Sequence, residues 1–403
     1  MNALRRGPAV GALLGAAWLA TLAVTVAVAM AFATGEALRP QVGPAAAWGA
    51  GLGAVSVMVP TRWRWMVAGM VAALACLAPG GAGPIAVGTG GTVGPGAALA
   101  LGGAYALALS RTLPGVGPGA NDRHAFETSV IRFLTGFGAI FFTAIVAIPF
   151  WVMLMTSFKS RAEQVADPLD FGIDLSRGWA LFDSYRELFT AFDFGLYLLN
   201  SAIISVVTVL VTLAFAIPGA YAVARLRFAG RTAFSRGILL IYMVPMIVLA
   251  LPIYIAFSLT GLRNSILGIL MIYPVTTVPV ALYMLQGYFR GLPAEVEEAG
   301  LMDGLSRLQV IWKITLPLSL PALASVSLYV FMIAWNEFLL AFMLLDDPSK
   351  FTLTRGIAAL NSSEIPRQHL MAGSVIATVP IMALFLGLER FMTKGLAAGS
   401  VKG

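Results

Sequence analysis

Nine stretches of this chain run without a single Asp, Glu, Lys, Arg or His: 9–33, 45–61, 65–110, 133–158, 194–224, 237–262, 264–289, 314–336 and 370–388. About 20 apolar residues in a helix cross the hydrocarbon core of a bilayer. In lipid, backbone polar groups must be satisfied within the element, which leaves helices for segments of this kind. The run 65–110 has 46 residues and is interrupted by a Gly/Pro-rich stretch from Pro79 to Gly96, so it reads as two helices. The run 45–61 is short and rich in Gly and Ala. The expected class is therefore all-α, a polytopic membrane protein of about ten transmembrane helices. Arg5, Arg6 and Ala31-Phe32-Ala33 resemble parts of a cleaved signal peptide. The first apolar run is longer than the ~7–15 residues of a signal core, so a retained first helix is expected.

Composition agrees. With 59% hydrophobic and 11% charged residues, the chain cannot clothe a water-facing surface, and it is too apolar for disorder. With the N-terminus inside and ten crossings, 17 of the 26 basic residues fall inside and nine outside. That asymmetry follows the positive-inside rule and puts both termini in the cytoplasm. The net charge of +7 is then a record of topology rather than of nucleic-acid binding. Cys76 is the single cysteine, so neither an internal disulfide nor a multi-thiolate metal site is available.

Residues 1–120 hold four Gly/Ala-rich helices and end in Pro114-Gly115-Val116-Gly117-Pro118-Gly119, which reads as a flexible linker. Residues 121–403 hold six longer helices with more distinctive loops. In the loop 159–193, Trp179, Leu181, Phe182, Tyr185, Leu188, Phe189 and Phe192 recur at helical spacing. They suit an amphipathic helix on the outer membrane surface or a docking surface for an extracytoplasmic partner. There is no G-x-x-x-x-G-K-[ST] phosphate loop, no H-E-x-x-H and no G-x-S-x-G elbow. No catalytic residue and no metal ligand is assigned. Charge inside the spans is nearly confined to Glu337, which either lines a polar cavity or reaches interfacial water. So little intramembrane charge points to an energy source on another chain.

The loop 290–317 carries the most information. Pro293 suits a helix start, with Glu295, Glu297 and Glu298 placed against the positive end of the dipole. Asp303-Gly304 suits a turn, Ser306 suits the cap of a second short helix, and Leu316-Pro317 leads back to the membrane. Ala299, Leu301, Met302, Leu305, Val310 and Ile311 have no evident partner within so short a loop. They pack on the protein's own helix ends or into another subunit.

The pattern Glu298-Ala299-Gly300, three residues, Gly304, nine residues, Ile314-Thr315-Leu316-Pro317 resembles the E-A-A-x3-G-x9-I-x-L-P signature of membrane subunits of binding-protein-dependent ABC importers. Gly300 stands where alanine is usual. The stretches Ala220–Gly230, Trp335-Asn336-Glu337-Phe338 and Ala398–Gly403 are similar to the sugar-importer branch, specifically the maltose-type G subunit. The resemblance covers about 125–403, so the first 120 residues are an extension to a six-helix unit of the type I importer fold. It implies a permease for an ATP-driven sugar (oligosaccharide) importer of a bacterial or archaeal cytoplasmic membrane, not an enzyme. The implied partners are a second, maltose F-type permease, two ATPase subunits and an extracytoplasmic solute-binding protein. No cofactor is implied on this chain, ATP and Mg being held by the ATPases. The implied coupling residues are Glu298, Ala299, Gly300, Asp303, Gly304, Ile314, Leu316 and Pro317, within the segment 293–313 and its exit. Asp346, Asp347, Asn361, Ser362 and Glu364 are candidates for contact with the binding protein, and Gly399–Gly403 for contact with the ATPases. Asn200, Ser201, Tyr242, Asn336 and Glu337 are candidates for the sugar pathway, with helix packing as the alternative for each. A stand-alone secondary carrier, or a membrane scaffold acting through the N-terminal extension, are the other readings.

Overall fold

The computed structural model describes residues 5–34, 36–59, 63–78, 82–87, 93–166, 172–361 and 365–399. The chain divides into two compact units, Met1–Gly178 and Trp179–Gly403.

In the first unit the helices are α1 (Gly7–Thr34), α2 (Val42–Met58), α3 (Arg64–Ala75), α4 (Pro95–Thr112), α5 (Arg123–Ser157) and α6 (Arg161–Ala166). Two short antiparallel strands, β1 (Leu38–Pro40) and β2 (Ile85–Val87), pair with Leu38 opposite Val87. The core is built on α1, whose Leu19, Ala23 and Ala27 are fully buried. Glycines spaced by four on α1 (Gly11, Gly15) face glycines spaced by four on α2 (Gly49, Gly53), and a Cβ on any of them would collide with the facing backbone. Small residues let membrane helices approach closely where lipid offers no hydrophobic drive to association. Two buried polar pins lock the arrangement: Tyr105 donates to Gly49 O at 3.0 Å, and Trp18 Nε1 donates to Thr112 Oγ1 at 2.9 Å.

The segment 114–119 does not hang free as expected. Gly7 N–H donates to Gly119 O at 2.9 Å, and Asn121 donates from its backbone N–H to Arg5 O at 3.0 Å while its Oδ1 accepts from Gly117 N–H at 2.9 Å. The amide of Asn121 thus supplies the hydrogen bonds that a Gly/Pro stretch cannot make for itself. Beyond it, α5 lays Phe133 edge-on against Trp18, ring centroids 5.1 Å apart. Further along, Phe141, Phe142, Ile145 and Phe150 of α5 are exposed, as suits lipid contact.

A 3-10 segment (Leu175–Phe182) contains the boundary at Gly178, and the second unit continues with α7 (Asp183–Ala191), α8 (Phe194–Arg225), α9 (Arg231–Tyr242), α10 (Met246–Leu259) and α11 (Ile266–Gly291). Then come α12 (Ala294–Met302), α13 (Arg307–Val310), a π turn (Ile311–Thr315), α14 (Leu316–Leu318) and α15 (Leu320–Asn336). The remainder is α16 (Leu339–Leu344), a 3-10 turn (Pro348–Lys350), α17 (Leu353–Leu360) and α18 (Arg367–Gly399). α8 and α11 form the centre, with Tyr221, Leu282, Leu285 and Phe289 buried between them and α15. Part of the amphipathic pattern expected in 159–193 forms α7, whose Leu188 is fully buried and Phe189 exposed; Trp179, in the 3-10 segment before it, is exposed.

Among the described residues, five helices are long and apolar enough to cross a bilayer: α1, α5, α8, α11 and α18. A sixth span arises if Arg307–Leu318 and Leu320–Asn336, bent by 81°, count as one. The expected ten is not reached among the described residues. The apolar run 237–262 is broken into α9 and α10 at Pro245, which disfavours helical geometry at Val244 before it. α2 and α3 have 17 and 12 residues, short of the full core.

Because Gly53 meets backbone rather than flexible side chain, Gly53→Val forces α1 and α2 apart, an overpacking cost of about 1–3 kcal/mol. Gly43→Ala on the same helix, with open space around it, is the control. Thermal unfolding of the purified protein should show a lowered midpoint for the first and none for the second.

Candidate functional site

The segment 290–317 folds as the helix–turn–helix that its residues dictate. Pro293 is the N-cap of α12, with Glu295 and Glu297 in the first turn. α12 ends when Gly304 takes a left-handed conformation, φ +82°. Leu305 N–H then donates to Gly300 O at 3.1 Å and Gly304 N–H to Leu301 O at 3.1 Å, the paired closure of a Schellman turn. Asp303, the C-cap, donates its N–H to Ala299 O at 2.9 Å. Ser306 opens α13 with a reciprocal capping box: its Oγ accepts from Gln309 N–H at 3.4 Å, and its own N–H donates to Gln309 Oε1 at 2.8 Å. Ser319 leaves the helix after α14, two residues before Pro321. Pro321 has no N–H to return to Pro317 O, and its ring would strike that carbonyl.

α12 has two faces. Glu297 and Gly300 are buried, whereas Glu295, Glu298, Ala299 and Met302 are exposed, Met302 at 88%. Val310 is fully buried, and Leu308 and Trp312 are exposed. The apolar residues of the loop therefore divide between the protein's own core and an uncovered surface.

Glu297 is the residue that sequence reasoning undervalued. Its Oε2 accepts from the Tyr221 hydroxyl at 3.2 Å, and its Oε1 accepts from Thr315 Oγ1 at 3.1 Å. Arg225 Nε lies 3.3 Å from Oε1, an ion pair without hydrogen-bond geometry. Arg225 Nη2 also donates to Leu292 O at 2.7 Å. One carboxylate thus joins α12 to the end of α8 and to the π turn. The signal was legible: Tyr221 and Arg225 are four apart on one face of α8, and Glu297 precedes the buried Gly300 by three.

Gly300 has a packing reason. A Cβ there would sit 2.5 Å from Ile314 Cδ1 and 3.5 Å from Leu305 Cδ1. Ile314 fills the space that the usual alanine would take. Leu316 is half-buried, and Pro317 is exposed at the exit.

The pathway candidates hold the structure together at the other end of the unit. Asn200 Nδ2 donates to Ser349 O and Phe351 O, both at 3.1 Å, and Ser201 Oγ accepts from Leu353 N–H at 2.7 Å. Glu337 caps α16 by accepting from Leu340 N–H at 2.9 Å and Ala341 N–H at 3.1 Å. Asn336 is exposed, its Nδ2 returning to Met332 O at 2.9 Å. Tyr242 closes α9, and its side chain lies outside the described residues. Sequence reading passed over a buried hydroxyl seam, in which Thr212 and Thr277 pair at 2.6 Å between α8 and α11.

In the loop after α16, Asp346 pairs with Arg263. Asn264, at φ +53°, accepts on Oδ1 from Asp346 N–H and Asp347 N–H at 3.2 and 3.0 Å. Asp347 is held below the usual carboxylate range by the Ser349 hydroxyl and N–H and by Lys350. Asn361 ends α17 and is exposed. Ser362, Glu364 and 400–403 of the tail lie outside the described residues.

The profile of the family described as "Binding-protein-dependent transport system inner membrane component" matches residues 216–397. The chain is similar to the inner membrane ABC transporter permease protein YcjP of Escherichia coli (strain K12), 38% identical over 269 residues, 66% of this chain and 95% of that one. It is similar to the trehalose/maltose transport system permease protein MalG of Thermococcus litoralis, 34% identical over 281 residues, 69% and 99% of the two chains. Among solved structures, a chain of a bacterial ABC transporter involved in the import of the acidic polysaccharide alginate shares the fold. Its TM-score is 0.57 at 24% identity, covering 67% of this chain and 98% of that one.

Removing one member of a buried ion pair strands the other, at about 3 kcal/mol or more. Glu297→Ala should therefore lower the thermal midpoint clearly, whereas Glu298→Ala, on the exposed face, should leave it unchanged. Gly300→Ala should be tolerated better with Ile314→Val, which removes the colliding Cδ1, than alone; a double-mutant cycle on thermal midpoints measures the coupling.

Proposed function

The chain belongs to the family of binding-protein-dependent transport system inner membrane components, and we propose on that premise that it is the permease of an ATP-driven sugar importer. It is a multi-pass membrane protein and the membrane subunit of an ABC importer; its family is not enzymatic. The observation that carries the coupling reading is the two-faced α12, with Glu298, Ala299 and Met302 uncovered above a helix pinned from beneath. In this reading two ATPase subunits, which bind ATP and Mg, receive that face in a cleft, with Glu298 as the polar anchor and Ala299 allowing close approach. Closure of the ATPases moves α12 and α13 as one body. Glu297 passes the displacement to α8 through Tyr221 and Arg225, and to the bent helix through Thr315. A bundle of this kind responds by rocking of rigid elements rather than by bending.

A second permease completes the pathway, and an extracytoplasmic solute-binding protein delivers the sugar to the loop around Asp346, Asp347 and Asn361. That loop is stiffened for docking by Asn264, Asn200 and Ser201. Asn336, exposed near the loop end of α15, is the pathway candidate least committed to internal contacts among those whose side chains are described. Both termini are cytoplasmic in this reading. Residues 1–120 are an added membrane domain ahead of a permease domain at 121–403, which accords with relatives matched over nearly their whole length by two thirds of this chain. The trehalose/maltose relative supports a sugar as cargo.

Glu298→Lys should reduce sugar uptake by about tenfold or more while leaving the thermal midpoint of the complex intact, because it places a cation at the anchoring position. Uptake by reconstituted complex, with ATPase stimulation by the binding protein, is the measurement. Unchanged uptake, together with a native complex lacking an ATPase, would sink the reading. Calorimetry of the cognate binding protein against a panel of sugars identifies the cargo.

A further inference from the structure

At the end of the second unit that carries the 290–317 loop, a cavity of about 340 Å³ is lined by Arg231, Thr232, Ser235 and Arg290. Among the described residues its lining holds two guanidinium groups and two hydroxyls and no carboxylate. Among the described residues, no Asp or Glu forms an ion pair with either arginine. The cations are held in place by neutral acceptors. Arg231 donates to Val223 O at 2.6 Å and to Ala224 O at 3.0 Å, at the end of α8. The amide of Gln286, a buried residue, satisfies both its neighbours when its oxygen accepts from Arg290 Nη2 and Nη1 at 2.9 and 3.1 Å and its nitrogen faces Ser235 Oγ at 3.0 Å. A buried amide thus spends its hydrogen bonds on orienting an arginine and a serine toward an opening. The first turn of α9 adds the positive end of a 12-residue helix on the same side.

We propose that this cavity binds a phosphate group. Two guanidinium forks with hydroxyl donors between them match the oxygens of a phosphate ester. The surroundings favour a phospholipid headgroup as its source. Arg290 ends the span α11, and Phe228 and Phe234, three residues to either side of Arg231, are 43% and 51% exposed. Basic and aromatic residues together at a span end mark the headgroup level.

The test uses the purified complex of this chain with its permease and ATPase partners, in detergent, by native mass spectrometry. Phosphatidylglycerol is added against phosphatidylcholine, and inorganic phosphate is titrated in the millimolar range as a separate arm. The wild-type complex should retain phosphatidylglycerol in preference. Arg290→Gln should weaken that retention about fivefold, the worth of one cationic residue near an anionic surface, and Arg290→Lys should restore most of it. Ser235→Ala is a second, milder variant that leaves the charges in place. Arg231 is left intact because it holds the end of α8. Retention that inorganic phosphate does not displace assigns the site to lipid. Displacement, with inorganic phosphate raising the thermal midpoint of the wild type but not of Arg290→Gln, assigns it to soluble phosphate. Equal retention by wild type and Arg290→Gln, with no effect of inorganic phosphate on either, overturns the proposal. So does loss of a subunit in Arg290→Gln with lipid retention unchanged, which would make the cavity a subunit contact.

Discussion

Glu297 sits where three segments of the second unit converge, and its carboxylate is shared among Tyr221, Thr315 and Arg225. Without a partner a buried charge costs several kcal/mol, so these groups hold their places only together. α12 would otherwise be a nine-residue helix on a short loop, marginal by itself. Pinned by Glu297, closed by Gly304 and continued by the capping box of Ser306, it is fixed to the end of α8 and to the π turn that leads into α14.

The two ends of the unit use polar side chains differently. Beside the 290–317 loop, arginines and a glutamate join helices to one another, and Arg231 and Arg290 keep donors facing an open cavity. At the far end, Asn200, Ser201, Asn264 and Glu337 spend their hydrogen bonds on backbone groups of the loop 337–353. An irregular segment at the edge of a membrane has backbone donors and acceptors to satisfy, and these side chains supply what the helix ladder cannot. The scarce polar residues of this chain are thus distributed by the needs of its broken backbone.

Two breaks in the apolar runs fall at prolines, while Pro149, Pro218, Pro274 and Pro279 lie inside continuous helices. Pro245 separates α9 from α10, and Pro321 bends the chain by 81° after Ser319. In the first unit glycine has the complementary part, bringing α1 against α2 at backbone distance. Both effects are visible as residue types along the chain, yet an apolar run has no charge to mark its interior break, so the runs alone do not show where a helix is interrupted.

The sequence by itself determined the class of this protein and the helix–turn–helix with its caps at Ser306 and Gly304. Those features rest on local chemistry: hydropathy, dihedral preference and hydrogen bonds spanning a few residues. Tertiary structure alone decided which of two adjacent glutamates points inward, why Gly300 replaces an alanine, and that Asn200 and Ser201 serve a loop about 150 residues further along the chain. A helix turns by about 100° per residue, so Glu297 and Glu298, identical in chemistry, face a half-buried arginine and open surface respectively. The partner that makes the difference, Arg225, lies on another helix.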